Sequence, residues 1–240
     1  MIRFALLFLL SFLLFTSCHY TTDKRIKGNG NVTTQTRNVG SFTGVNTMGS
    51  IDVVLIPGSA SSLQIKADQN LLEYIEVEND NGTLQVSTKD GYDLNPSSKI
   101  KVYATAPYFN EANVSGSGSI QSDGRISGSN TLHTKVSGSG TIVLDVDAPK
   151  VDANIMGSGS ISLKGMTQEF AAGISGSGEV HSFELLSENT DIEIAGSGDA
   201  EVFASKTLDA SIAGSGDIKY KGNPAVKQSM AGAGSIHKVD

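Results

Sequence analysis

Tryptophan is absent from the 240 residues, cysteine occurs once, and aromatic residues make up only 6%. A single cysteine excludes an internal disulfide framework. With no tryptophan, an extended aromatic platform for stacking sugar rings has little to draw on, and Tyr74, Tyr92, Tyr103, Tyr108 and Tyr220 fall at scattered register positions. Charge is scarce as well, 18% of residues against a usual ~25%. The formal net charge is -7 with no basic stretch, so the electrostatic footprint of a nucleic-acid binder is missing. Glycine is what abounds, 27 of 240 residues or about 11% where ~7% is usual. High glycine with low charge argues against long helices.

The N-terminus reads as an address. Arg3 precedes an apolar run from Phe4 to Phe15, interrupted only by Ser11, and Thr16, Ser17 and Cys18 come directly after it. A charged start, a short apolar core and a small-residue cleavage site make residues 1–17 a signal peptide, and the run is shorter than the ~20 residues that span a bilayer. The segment Leu14-Phe15-Thr16-Ser17-Cys18 resembles a bacterial lipobox in the loose form seen in the Bacteroidetes. That resemblance implies a diacylglyceryl thioether on Cys18, cleavage before it and N-acylation of the new terminus, so that several acyl chains hold the protein on a membrane. His19 stands where an inner-membrane retention signal would carry Asp. The expectation is therefore an outer-membrane lipoprotein anchored through Cys18, on the periplasmic or the cell-surface face. Residues 18–40 are polar, without apolar periodicity, and read as a tether.

From Ser41 the pattern changes. Val45, Thr47, Gly49, Ile51, Val53 and Leu55 alternate with more polar neighbours up to Pro57-Gly58, the period of a strand. Leu63, Ile65 and Ala67 give a second run, and Ile75 with Val77 and Leu84 with Val86 flank Asn79-Asp80-Asn81-Gly82, a hairpin signal. Asp68 to Tyr74 suits one helical turn, Lys89 to Ser98 reads as an exposed loop, and Ile100, Val102 and Ala104 resume the alternation. Residues 41–110 are thus expected as an irregular β segment packed on the C-terminal half of the chain.

That C-terminal half is a repeat. Gly-Ser-Gly begins at Gly116, Gly138, Gly157, Gly176, Gly196 and Gly214, and Gly-Ala-Gly at Gly232, at intervals of 22, 19, 19, 20, 18 and 18 residues. Two residues before the first glycine stand Val114, Val136, Ile155, Ile174, Ile194, Ile212 and Met230. Four after it stand Ile120, Ile142, Ile161, Val180, Ala200, Ile218 and Ile236. Spacing by two puts these on one face of extended chain, whereas on a helix it would scatter them. Residues 111–240 are therefore expected to form an all-β solenoid of coils of about 19 residues, each stacked ~4.8 Å above the last. The corner serines would face outward as a hydroxyl ladder.

The stretch from Phe42-Thr43-Gly44-Val45 through Leu84-Gln85-Val86 to the Val-Ser-Gly-Ser-Gly-Ser-Ile beginning at Val114, with its repeats, resembles the DUF2807 family over roughly residues 41–238. That family, common among Bacteroidetes lipoproteins, carries the label auto-transporter adhesin, head GIN domain, a label resting on fold analogy. The resemblance implies a right-handed parallel β-helix.

Chemistry is harder to find. Each Gly-Ser-Gly leads into another alternating strand, not into the helix a phosphate loop needs. No Gly-x-Ser-x-Gly elbow occurs, and His181 and His237, at one offset, lie three coils apart, too far for one metal or one triad. Glu179, Asp199 and Asp217 come after Gly-x-Gly in three successive coils, which would stack them ~5 Å apart. They are weak candidates for a Ca²⁺ site, supplying too few oxygens, and the expectation is a solvated face with no metal and no cofactor. The favoured function is a non-catalytic envelope lipoprotein, an adhesin or scaffold whose polar face meets a glycan or another envelope protein. The alternatives are a polysaccharide-cleaving enzyme, since parallel β-helices also host lyases, and a purely structural partner. Lys135, Lys164 and Lys219 fall at different offsets, so no acid-base cluster of a lyase is legible.

Overall fold

The computed structural model describes residues 23–127 and 130–240; Cys18, the signal peptide and the start of the expected tether lie outside them. The chain is 71% strand and 3% helix, wound into a β-solenoid of about six turns. Among the described residues no helix is long and apolar enough to cross a membrane.

Each coil has two walls joined by a Gly-Ser-Gly corner. The leading wall, before the corner, stacks Gly44–Gly49, Glu111–Gly116, Thr131–Gly138, Lys150–Gly157, the later halves of Ser160–Gly176 and Glu179–Gly196, then Thr207–Gly214 and Ala225–Gly232, all parallel. The trailing wall stacks Asp52–Pro57, Ser119–Ser127, Thr141–Asp147, the earlier halves of the same two long strands, Asp199–Phe203, Asp217–Lys221 and Ser235–Lys238. The first glycines pair with one another at every step, from Gly49 with Gly116 to Gly214 with Gly232. Between the walls lies one apolar core, in which Val114, Val136, Ile155, Ile174, Ile194 and Ile212 are at most 1% exposed.

The corner explains the paired glycines. Gly176 has φ +124°, and a Cβ there would stand 2.5 Å from the carbonyl oxygen of Gly157 in the coil below. At Gly178 a Cβ would meet the Ile155 side chain at 2.5 Å and the Gly159 carbonyl at 2.8 Å. The first glycine supplies a left-handed turn. The second leaves room for the apolar residue two before the preceding corner. Ser177 N–H donates to Gly157 O at 2.9 Å, so the ladder runs unbroken around the bend. The corner serines are exposed as expected, and at the first step the Ser50 and Ser117 hydroxyls lie 3.1 Å apart.

Three expectations need correction. The run from Val45 to Leu55 is not one strand: it breaks at Gly49-Ser50-Ile51, which is itself a corner, in register with Gly116. The segment 41–110 is accordingly hydrogen-bonded into both walls, through Thr83–Thr88 beside Gly44–Gly49 and Lys101–Ala106 beside Asp52–Pro57, and is not merely packed against them. Residues 24–37 are not free tether. Lys24–Lys27 pairs parallel with Tyr92–Asn95, inside the expected loop, and Val32–Arg37 pairs antiparallel with Ser62–Asp68. The physical reason is polar. The Asp68 carboxylate is fully buried and accepts from Gly30 N at 2.7 Å, Ser97 N at 2.8 Å and Ser97 Oγ at 2.6 Å, while Asn70 Nδ2 donates to Lys27 O at 2.9 Å. Apolar periodicity carries no trace of such bonds. Asn81, at φ 51°, and Gly82 make the tight turn of the expected hairpin between Ile75–Asp80 and Thr83–Thr88, and Gln69–Tyr74 is a 3-10 turn burying Leu71 and Leu72.

Candidate functional site

The residues expected at the acidic ladder do stack: Glu179 registers with Asp199 and Asp199 with Asp217. They do not converge. Glu179 turns to His181 Nε2 at 3.1 Å, Asp199 Oδ1 accepts the Asp217 amide at 2.9 Å, and Asp217 Oδ1 accepts the Ser235 hydroxyl at 2.6 Å. The Ser235 bond holds the Asp217 carboxyl below the usual carboxylate range. Among the described residues no group of three or more His, Cys, Asp or Glu is arranged to hold a metal. His181 also meets Glu201 through Nδ1 at 3.1 Å, linking two coils. Burial opposes its charged form, but hydrogen bonds and charges from Glu201 and Glu179 outweigh that and raise its pKa. The three stacked acids are thus part of a solvated, internally bonded face. Of the tyrosines among the described residues, Tyr74 and Tyr92 pack ring to ring at 4.6 Å at the N-terminal end and Tyr108 stands 41% exposed elsewhere, so these three form no common platform.

The concave feature of the molecule lies on the leading wall. The strand half ending at Gly176 turns Glu169, Ala171, Gly173 and Ser175 outward, a row of mostly short side chains. In the coil before, Lys150, Asp152, Asn154 and Met156 stand opposite them, and in the coil after, Asn189, Asp191, Glu193 and Ala195. One low row between two taller rows makes a trough that crosses the solenoid along the strand direction, its sides two coil steps or about 9.6 Å apart. Cavities of about 200 and 390 Å³ lie in it, between Asp152 and Asp191 and at Met156 and Glu193, and one of about 570 Å³ begins at Lys150 and Glu169 and extends across the later coils to Thr207 and Ala225. Asn154 leans over the floor, its Oδ1 2.9 Å from where a Gly173 Cβ would stand. Partial burial, reinforced by the charges of Asp209 and Glu193, pushes the Asp191 carboxyl up. Toward one end the cavity reaches the inward-facing, 41% exposed Val226 of the last coil, above the buried Phe170 and Leu208.

Its carboxylates and amides can accept and donate hydrogen bonds along an extended polar chain; Lys150 stands at one end, 3.5 Å from Asp152, and Lys135 lies one coil outside, in register with Asn154. The sequence carried a signal for it: at outward offsets this coil reads Glu, Ala, Gly, Ser where its neighbours read Lys, Asp, Asn, Met and Asn, Asp, Glu, Ala. Aligning the inward offsets alone passes over that signal.

Fold and surface define a class, the repeat-built β-solenoid that offers its outer walls rather than an interior cavity. Within that class the chain belongs to the DUF2807 family, described as "Putative auto-transporter adhesin, head GIN domain", which matches residues 41–224. Among solved structures it is similar to one described as a "Putative lipid binding protein" from Parabacteroides distasonis, 30% identical with TM-score 0.73, covering 90% of this chain and 100% of that one. A "putative adhesin" from the same organism is 28% identical with TM-score 0.72, covering 90% and 100%. A further "putative adhesin" from Bacteroides fragilis shares the fold at TM-score 0.83 and 24% identity, covering 89% and 100%. No curated protein matches the chain.

Proposed function

We propose that this protein is a non-catalytic envelope lipoprotein, acylated at Cys18 and held on the outer membrane, that binds an extended polar polymer, a glycan foremost, in the trough over Ala171 and Gly173. The observation that carries this reading is the trough itself, flanked by Asp152, Asn154, Asn189, Asp191 and Glu193. The family description as an adhesin supports it. A lyase would need a base beside the acids that hold its substrate; Lys150 and His133 lie 3.5 and 3.1 Å from the Asp152 carboxylate, so a lyase assay is the test of that alternative. A second reading draws on the neighbour described as lipid-binding and on the exposed Val226 that lines the cavity at the Lys150 end.

Glycan-array binding, with liposome flotation and a lyase assay on acidic polysaccharides alongside, separates the readings. Saturable glycan binding that Gly173→Gln abolishes is the expected result. Binding unaffected by filling the trough would remove the site, flotation without glycan binding would favour the lipid, and chain cleavage would make it an enzyme. For the anchor, palmitate labelling should be lost in Cys18→Ser, and an unmodified Cys18 in the membrane fraction would overturn that part.

A further inference from the structure

The C-terminal end of the solenoid is an open face. Among the described residues Ala225–Gly232 pairs only with Thr207–Gly214, and Ser235–Lys238 only with Asp217–Lys221, so each presents a row of free backbone donors and acceptors on its outer edge. The inward side chains are bare too: Val226 is 41% and Met230 49% exposed, where Leu208 and Ile212 one coil below are each 1%. At the intervening inward position other coils carry Ala112, Thr134, Ala153, Ala172, Ile192 or Ala210; here it is Gln228. Open strand edges of this length normally carry protective charges or a cover; of the charges on this one, Lys227 is paired with Asp209 at 2.6 Å and Lys238 donates to Asn223 Oδ1 at 2.6 Å.

We infer that this end is covered by the same end of a second copy of the chain, in a closed tail-to-tail dimer. A two-fold axis perpendicular to the solenoid axis reverses strand direction, so the two Ala225–Gly232 strands would meet antiparallel. With the axis through Gln228, Val226 faces the partner's Met230 and Met230 the partner's Val226, joining the two bare apolar positions. Gln228 faces the partner's Gln228, and an amide can both donate and accept. Within this strand Lys227 falls opposite the partner's Ser229, so no like charges are directly opposed between the two Ala225–Gly232 strands. The strand is thus self-complementary, as an isologous contact requires.

The far end cannot serve as the partner surface. Its apolar interior is closed by Leu71 and Leu72 of the 3-10 turn, and its outermost leading strand, Ile75–Asp80, runs antiparallel with Glu76, Glu78 and Asp80 along it. Head-to-tail growth therefore finds no matching edge, and the pair closes at two. An eight-residue strand spans about 26 Å and facing sheets lie about 10 Å apart. An end face of roughly 26 by 20 Å buries about 1,000 Å² in the pair, the lower bound for a specific interface. The inference depends on neither the ligand nor the anchor.

Sedimentation of the full chain carrying Cys18→Ser, in detergent so that the N-terminal apolar run does not draw copies together, tests it. Mass should rise from one chain to two with concentration and stop there. Adding Gln228→Cys to that cysteine-free background should give a covalent dimer on mild oxidation, because the two positions share the axis. Met230→Asp should abolish both results while melting like its parent when dilute. Met48→Asp, at a comparably exposed methionine near the other end, should preserve both. One-chain mass throughout, growth past two chains, or a dimer indifferent to Met230→Asp would each overturn the inference.

Discussion

At the N-terminal end of the solenoid Val45 and Leu84 are fully buried; at the C-terminal end Val226 and Met230, turned inward in the same way, are nearly half exposed. Between the two ends the coils are nearly interchangeable. What separates them is sequence that does not repeat: the hairpin at Asn81-Gly82, the 3-10 turn with Leu71 and Leu72, the Phe42 and Phe109 rings 6.5 Å apart, and the Asp68 and Arg37 bonds that fasten residues 24–37. A repeat can bury its face only against a neighbour, so a terminal repeat is completed by something unlike itself. Residues 24–110 do that at one end.

Substitutions along the axis test this contrast. The largest effect is expected from Ile174→Asp in the middle, which buries an unpaired charge at a cost of about 4 kcal/mol, roughly 8–16 °C in melting temperature. Met230→Asp at the open end should change the dilute protein by no more than about 0.5 kcal/mol, and equal losses at both positions would erase the distinction. Next comes glycine. Gly176→Ala adds a Cβ against a carbonyl in a left-handed conformation and should cost about 3 kcal/mol, while Gly91→Ala at the capped end, φ +82° with no atom within 4 Å, should cost only about 1 kcal/mol. Chemical denaturation of the two variants reads the difference.

A smaller loss, about 1–2 kcal/mol, is expected for Asp68→Asn, which weakens the bonds fastening the N-terminal strands. The Ser97 hydroxyl, with the Ser97 and Gly30 amides, holds the Asp68 pKa below its ordinary value against the opposing effect of burial. Its contribution is therefore full above the ordinary carboxylate pKa and disappears as pH falls through the lower folded value. The variant should show a flatter acid limb, first in hydrogen exchange of residues 24–31. A small effect is also expected for His181→Ala, about 0.2–1 kcal/mol for an exposed pair. Because the folded pKa is raised, the pairing with Glu179 and Glu201 stabilises fully below the ordinary imidazole value and fades as pH rises through the folded one. Wild type and variant should differ in melting temperature at pH 5.5 and converge at pH 8.5.

The coils were legible because their information is local: offsets of two and four from Gly-Ser-Gly place Ile155, Ile174 and Ile161 in the core without any knowledge of the rest. The capped end was legible only in pieces. The Asn81-Gly82 turn is dictated by residue type, but the pairing of Lys24–Lys27 with Tyr92–Asn95 joins two polar segments far apart in sequence through backbone bonds. Gly49 was hidden for another reason. Its corner reads Gly-Ser-Ile and lacks the second glycine of the later corners, where a Cβ on Gly118 would strike the Ile51 carbonyl oxygen. The trough remained unread because it depends on which outward side chains are short relative to their neighbours, and that requires the register across three coils.

The stacking has a mechanical consequence. Hydrogen bonds between coils lie along the solenoid axis, so a load applied between the two ends pulls on them in tension, one rung at a time, instead of shearing whole strands past one another. Coils would peel away singly, beginning at the end held by a neighbour on one side alone. Each released coil of about 19 residues lengthens the molecule by about 60 Å, and recoiling needs only the next rung as a template. Under strain such a molecule behaves as a reel that yields by stages and rewinds.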